Sequence, residues 1–233
     1  MPVVARLRMA APHVHILVVD DASPDGTGEI ADALAREDDH VQVLHRRAKQ
    51  GLGVAYLAGF GWGLKRGYDV LVQLDADGSH QPEELPRMLS ALRHADLVVG
   101  SRWVPGGRTL NWPLARRLIS QGGTLYARLA LGIPIRDATG GYRAFRASAL
   151  QTLDLHDVAS QGYCFQIDLA WRAVRDGWRV VEVPITFVER DQGRSKMSAA
   201  IVAEALRRVT AWGVQHRTAR LRLLLPRAQR AVR

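Results

Sequence analysis

Cysteine is nearly absent. Cys164 stands alone in 233 residues, so no internal disulfide can form and a reducing cytoplasmic compartment is the expected setting. Long apolar runs are missing too. None approaches the roughly 18 to 20 residues that cross a bilayer, and residues 1–11 carry neither a clean apolar stretch nor a cleavage site for export. There is no internal repeat or low-complexity linker, and 21 Gly with 10 Pro are ordinary numbers. A collagen, a coiled-coil rod and a mainly disordered chain are thereby excluded. With 47% apolar and 24% charged residues, the default for this length is one core.

Acidic residues are the minority charge, 23 against 32 Lys and Arg, for a net charge of +9. The excess is local. From residue 204 to the end, eight arginines face Glu204 alone, a surplus of +7 that leaves +2 for everything before it. Interleaved with Leu221, Leu223, Leu224 and Leu225, this basic segment suits an anionic membrane surface. Nothing resembles a base-stacking motif, and the charge lies outside the motif-bearing region, so nucleic acid is not an expected partner.

Short apolar runs alternate with helical patterns. Strands are expected at His15–Val19, Val41–Leu44, Val70–Leu74, Leu97–Val99 and Val180–Val188. Helices are expected at Thr27–Arg36, Gly53–Arg66, Pro82–Arg93, Pro113–Leu131, Gln166–Arg175 and Ser198–His216. The succession predicts an α/β domain with a mainly parallel sheet. In the last helix Ile201, Val202, Ala205, Leu206, Val209 and Trp212 share one face, which can lie on a core or on lipid.

Two acidic clusters fall at the carboxyl ends of predicted strands: Asp20-Asp21 after HILVV, and Asp75-Ala76-Asp77 after VLVQL. That edge of an open parallel sheet is where ligands bind. An Asp-x-Asp turn can aim both carboxylates at one Mg²⁺ or Mn²⁺ shared with a nucleotide diphosphate, although acidic strand ends also serve as turn formers and caps. Thr27 is placed to cap the helix it begins. Basic side chains follow at Arg102, Arg116, Arg117, Arg143, Arg190 and Lys196. Arg116 and Ser120 stand one helical turn apart, so guanidinium and hydroxyl can share one phosphate. His80 beside the Asp75 turn reads as a turn or surface residue, and Trp62, Trp112, Trp171 and Trp178 read as packing. Neither a Ser-His-Asp arrangement nor a zinc-type histidine spacing is present.

In order, LVVDDASPDGTG, RRAKQGLGVAYLAGF, QLDADGSH, VVGSRWVPGG, ARRLISQGG, DATGGYRAFR and EVPITFVERDQGRSKM resemble the polyprenol (dolichol) phosphate mannosyltransferases. These are family 2 inverting glycosyltransferases of GT-A fold, and the likeness spans residues 12–198, closest in wording to actinobacterial members. The resemblance implies mannosyl transfer from GDP-mannose to a polyprenyl monophosphate at the cytoplasmic membrane face. It places Asp20 and Asp21 on the nucleoside side of the donor, and Asp75 and Asp77 on the metal, Mg²⁺ or Mn²⁺, and the diphosphate. Arg102, Arg116 and Ser120 match positions for the acceptor phosphate, and Arg190 with Lys196 match the pair that closes over the donor phosphates. Asp77, Arg102, Arg116 and Ser120 are thus the expected catalytic set, and Asp168 falls where relatives carry an acid. Ser79 stands where many relatives have a metal-assisting Gln.

One departure accompanies the likeness. The segment MPVVARLRMAAP resembles the tail of the helix after the family's opening strand, with Val3, Val4, Leu7 and Ala11 at helical spacing, so the family's first strand is expected to be missing. The expected division is a glycosyltransferase domain over 1–197 and an amphipathic helix with basic tail over 198–233. The chain is expected to sit peripherally at the membrane, with room for a membrane partner protein. A polyprenyl-phosphate glucosyltransferase, another sugar-nucleotide transferase and an inactive sugar-nucleotide-binding module stay open as alternatives.

Overall fold

A computed structural model describes residues 2–154, 158, 162–189 and 199–224. Helix α1 (Pro2–Ala10) buries Val3, Val4 and Leu7, the stripe its spacing predicts. Next come β1 (Ile16–Asp20), α2 (Thr27–Glu37), β2 (Val41–His45), α3 (Leu52–Lys65) and β3 (Val70–Gln73). The expected helix from Pro82 divides into a 3-10 turn (Pro82–Glu84) and α4 (Leu85–Leu92), because Pro86 has no N–H for a regular turn and its ring crowds the carbonyl four residues back. Then follow β4 (Leu97–Ser101), β5 (Arg108–Leu110), α5 (Leu114–Leu131), β6 (Arg143–Arg146), α6 (Ala147–Thr152), α7 (Gly162–Arg175), β7 (Val180–Pro184), β8 (Thr186–Val188) and α8 (Ala199–Leu224).

The central sheet has the order β3-β6-β4-β7, with β6 antiparallel to both neighbours and β4 parallel to β7. The β1–β2, β4–β7 and β5–β8 pairs are parallel as expected, and β6 alone makes the central sheet mixed. The strand inserted at its centre, RAFR, is four residues with an arginine at each end, and has no apolar run to announce it. The expected strand Val180–Val188 is two. Ile185 donates its N–H to Ser101 O (3.0 Å) and accepts from Arg108 N (3.0 Å), so the chain turns out of the central sheet there and Thr186–Val188 pairs with β5. Strands β1 and β2 form a parallel pair of their own. β1 and β3 both rest on α3: a Cβ at Gly59 would meet Val19 at 3.3 Å, and one at Gly63 would collide with Leu71. Glycine permits that close approach.

Residues of β4 alternate between two cores. Val98 joins Ala144, Val183, Leu85, Met88, Val3 and Leu7 under α1 and α4. Leu97 and Val99 join Phe145, Phe60, Phe165 and Leu169 under α3 and α7. A third cluster ties α5, α7 and α8 through Ala127, Leu131, Ile167, Trp171 and Val209, with Trp212 stacked on Trp171 at 5.8 Å. Val209 and Trp212 thus face protein, while Leu206 is exposed; the side chains of Ile201 and Val202 lie outside the described residues. On α5, Ser120, Thr124, Ala127 and Leu131 are buried and Leu114, Leu118, Leu125 and Leu129 are exposed, two stripes at helical spacing on opposite sides.

Candidate active site

The two acidic strand ends meet at the start of α3. Asp21 accepts from Gln50 N (3.2 Å) and Gly51 N (3.0 Å) and pairs with Arg46. Asp20, 7% exposed, accepts from Ser23 N (3.1 Å), with His45 Nδ1 3.5 Å away. Burial works against the charge on Asp20, yet the hydrogen bonds from Ser23 and His45 prevail and hold its pKa below the ordinary carboxylate value. Between Asp21 and Ser23, Ala22 takes φ 55°, a left-handed conformation that costs a residue with a Cβ and survives only where surrounding bonds impose it. The following turn is closed by Asp25, which accepts from the Thr27 N–H (3.2 Å) and hydroxyl (2.6 Å). Thr27 is accordingly the first residue of α2 and not its cap; Gly26 occupies the cap position with φ 79°.

Asp75 accepts a 2.6 Å hydrogen bond from the Tyr56 hydroxyl, and burial, with Asp75 beside it, pushes the phenol well above its usual pKa. Asp77 accepts from the Ser79 amide (3.0 Å) and hydroxyl (2.5 Å) across Gly78, whose φ is 80°. Ser79 therefore holds Asp77 in place. His80 is not at the surface: it is 1% exposed, packed against Tyr142 and Phe187. Neither ring nitrogen has a hydrogen-bond partner among the described residues, and Nε2 lies 3.8 Å from Asp75 Oδ2. Desolvation depresses its pKa, which keeps the imidazole neutral near pH 7. Gly141 closes this corner, since a Cβ there would stand 3.4 Å from His80 Nε2 and 3.6 Å from Asp75 Oδ2.

A second cluster gathers the arginines. Arg102, 5% exposed, makes a forked pair with fully buried Asp137, Nε at 2.7 Å and Nη2 at 2.6 Å, and its own amide donates to the same carboxylate at 2.9 Å. Asp137 is held in turn by the turn around it, whose Arg136 and Asp137 amides donate to Glu182 at 2.7 and 2.8 Å. Trp112 stands between the two arginines: Arg102 lies 5.1 Å from its ring centroid and Arg116 4.3 Å. Trp112 is thus more than packing, because it fixes two cations against one aromatic ring. Arg116 pairs with Glu189, and Ser120 is 7% exposed one turn along α5. Arg102, Arg116 and Ser120 are brought together, and of the three Arg116 is the most open, its side chain 19% exposed.

Other expected positions separate. Arg143 is an internal clamp. It is fully buried, donating to Gly140 O (3.0 Å), Gln166 O (2.8 Å) and Ala138 O (2.8 Å), and burial lowers its pKa to about 10. It ties the Asp137–Gly141 turn to α7. Asp168, fully buried, accepts from Arg172 at 2.7 Å. Arg190 and Lys196 lie outside the described residues. Tyr56, Asp137 and Glu189 escaped the sequence reading, and Trp112 was read only as packing. Only Asp137 had a signal, its place at the head of the DATGG turn.

Asp75 and Asp77 offer hard carboxylate oxygens from one turn, and Ser79 fixes one of them. Among the described residues no group of three or more His, Cys, Asp or Glu gathers to cage a metal. Two carboxylates suit Mg²⁺ or Mn²⁺ that draws its remaining ligands from a diphosphate and water, so the donor set fits such an ion.

A mixed central sheet with the Asp75-Ala-Asp77 turn after β3, beside a parallel β1–β2 pair that ends in Asp20, is the GT-A architecture of glycosyltransferases. The same fold is found in a mannosyltransferase from Pyrobaculum calidifontis solved in complex with GDP-mannose and Mn²⁺ (TM-score 0.56, 16% identity, 92% of this chain and 61% of that one). Residues 3–154 match the model of glycosyl transferase family 2, and the chain belongs to that family. It is 60% identical over 220 residues to the undecaprenyl-phosphate mannosyltransferase of Micrococcus luteus, covering 94% of this chain and 90% of that protein. It is 57% identical over 222 residues to the polyprenol monophosphomannose synthase of Mycolicibacterium smegmatis, covering 94% and 84%.

Proposed function

We propose that this glycosyltransferase moves mannose from GDP-mannose to a polyprenyl monophosphate with inversion. The observation that carries the reading is that the Asp-x-Asp turn after β3 and Arg102 after β4 leave the central sheet at the same edge, with Arg102 and Arg116 sharing the Trp112 ring, in a chain 60% and 57% identical to an undecaprenyl-phosphate mannosyltransferase and a polyprenol monophosphomannose synthase. The cluster suits a phosphorylated acceptor, the turn a metal-bound diphosphate donor.

A phosphate monoester is ionised near neutral pH, so its oxygen attacks the anomeric carbon without losing a proton to a protein base. The new carbon–oxygen bond forms as the bond to GDP breaks on the opposite face, and the electron pair leaves with the diphosphate. When bound through Asp75 and Asp77, Mg²⁺ or Mn²⁺ supplies charge neutralisation for that leaving group. Arg116 and Ser120 orient the acceptor phosphate, and Arg102, locked by Asp137, sets the aromatic wall behind it. Asp20 and Asp21 hold the loop on the nucleoside side, and Arg190 with Lys196 complete the donor phosphate contacts.

The acceptor is a lipid, and the reading includes peripheral attachment to the cytoplasmic membrane face. No helix among the described residues is long and apolar enough to cross a membrane. Instead α5, which carries Arg116 and Ser120, exposes Leu114, Leu118, Leu125 and Leu129 along one side with Arg117 also exposed, a pattern suited to lying in an anionic interface. The test is transfer of label from GDP-mannose to short-chain polyprenyl monophosphate with Mg²⁺ or Mn²⁺, with competing sugar nucleotides present. The expected result is a mannosylated lipid lost in Asp77→Ala and undiminished by equimolar UDP-glucose. No transfer, or preferential glucosyl transfer, contradicts the proposal.

A further inference from the structure

We propose that Glu189 is an internal anion that occupies Arg116 and is displaced by the acceptor phosphate. The inference rests on the reading of Arg116 as a phosphate ligand. Arg116 on α5 and Glu189 just after β8 are distant in sequence yet form an ion pair, with side chains 19% and 24% exposed. Each has a separate anchor. The Arg116 guanidinium lies on Trp112, 4.3 Å from the centroid, so it keeps its place when its carboxylate leaves. The Glu189 amide donates to Leu110 O at 3.0 Å, so its backbone stays while its side chain swings to water.

Arg116 also has capacity in reserve. Its Nε and the Trp112 indole N–H are buried without hydrogen-bond partners among the described residues. A phosphate has oxygens enough to engage more than one donor, whereas Glu189 engages Nη1 alone. A dianionic phosphate and a carboxylate repel each other on one guanidinium, and the partly exposed carboxylate is the one with water as an alternative. Arg102 differs: Asp137 beside it is fully buried and has no such exit. Of the two arginines, Arg116 is the exchangeable one.

The consequence has a definite sign. Glu189→Gln removes the competitor and tightens binding of short-chain polyprenyl monophosphate by about two- to fivefold, the range of a partly exposed ion pair expressed as an equilibrium ratio. A buttressing role for Glu189 gives the opposite sign. Binding is measured in detergent for wild type, Glu189→Gln, Glu189→Ala, Arg116→Gln and the Arg116→Gln/Glu189→Gln pair, with GDP-mannose affinity measured alongside. The expected pattern is tighter acceptor binding in both Glu189 variants, unchanged donor affinity, and no gain over Arg116→Gln in the double variant. Weaker or unchanged acceptor binding in the Glu189 variants overturns the proposal, as does a gain that persists without Arg116. Wild type that fails to distinguish polyprenyl phosphate from polyprenol overturns the underlying reading, and this proposal with it.

Discussion

Removing the carboxylate of Asp137 leaves the Arg102 guanidinium charged, 5% exposed and stripped of its forked partner. A buried charge that loses its counter-ion costs about 3–5 kcal/mol, far more than the pair's net worth over an apolar substitute. At roughly 2–4 °C per kcal/mol for a chain of this size, Asp137→Ala lowers the melting temperature by on the order of 10 °C. The loss extends to function, because Asp137 fixes Arg102 by backbone amide and side chain alike and Arg102 stacks on Trp112, which carries Arg116. Trp103 and Trp112 lie 5.4 and 5.1 Å from the guanidinium and contribute, with the other four tryptophans, to the fluorescence by which urea unfolding is followed. The charge-free pair Arg102→Met/Asp137→Leu is expected to recover at least half of the lost stability while losing transfer. A cost below about 1 kcal/mol for Asp137→Ala, the size of an exposed pair, contradicts the organising role of this buried fork.

Ser79→Ala removes the hydroxyl that bonds Asp77 and is expected to raise the concentration of Mn²⁺ needed for half-maximal activity about tenfold, a typical cost for a residue that orients a metal ligand; an unchanged metal titration refutes it. His45 lies 2.8 Å from Asp32 and 3.5 Å from Asp20. The Asp32 hydrogen bond is the leading cause of its raised pKa, with burial opposing and Asp20 adding. Stability from the imidazolium is therefore full below the ordinary histidine range and lost as pH rises through the raised value. The wild-type advantage over His45→Asn in urea unfolding should be larger near pH ~5.5 than near pH ~8.5. A Cβ at Gly213 would stand 2.6 Å from Ala130 O, so Gly213→Ala forces α8 off α5 and costs about 1–3 kcal/mol by thermal melting. Leu118→Glu and Leu125→Glu, at exposed positions of α5, should each weaken sedimentation with anionic vesicles by about tenfold, the worth of one buried leucine, while leaving the melting temperature unchanged.

Sequence pattern reveals structure where the signal is local. The runs HILVV and VLVQL announced β1 and β3 because apolar residues continue up to an acidic end, and the helical spacing of Val3, Val4 and Leu7 announced α1. What escaped was non-local. The RAFR strand hides its identity because Arg143 satisfies its guanidinium with three backbone carbonyls, partners no side-chain pattern can show. His80 read as a surface residue because histidine is amphipathic, and only the rings of Tyr142 and Phe187 bury it. Trp112 read as packing because its role depends on Arg102 and Arg116 arriving from β4 and α5. The acidic strand ends were legible as motifs, whereas the pairing of Asp137 with Arg102 and of Glu189 with Arg116 emerges only once the chain has folded.

In the proposed reaction an oxygen of the acceptor phosphate displaces GDP directly and with inversion. Polyprenyl monophosphate carrying ¹⁸O in its non-bridging oxygens, incubated with GDP-mannose and Mn²⁺, tests it most directly. The expected product is a β-mannosyl phosphate that retains ¹⁸O in the bond to the anomeric carbon. An α-linked product, or an anomeric oxygen drawn from water, contradicts it.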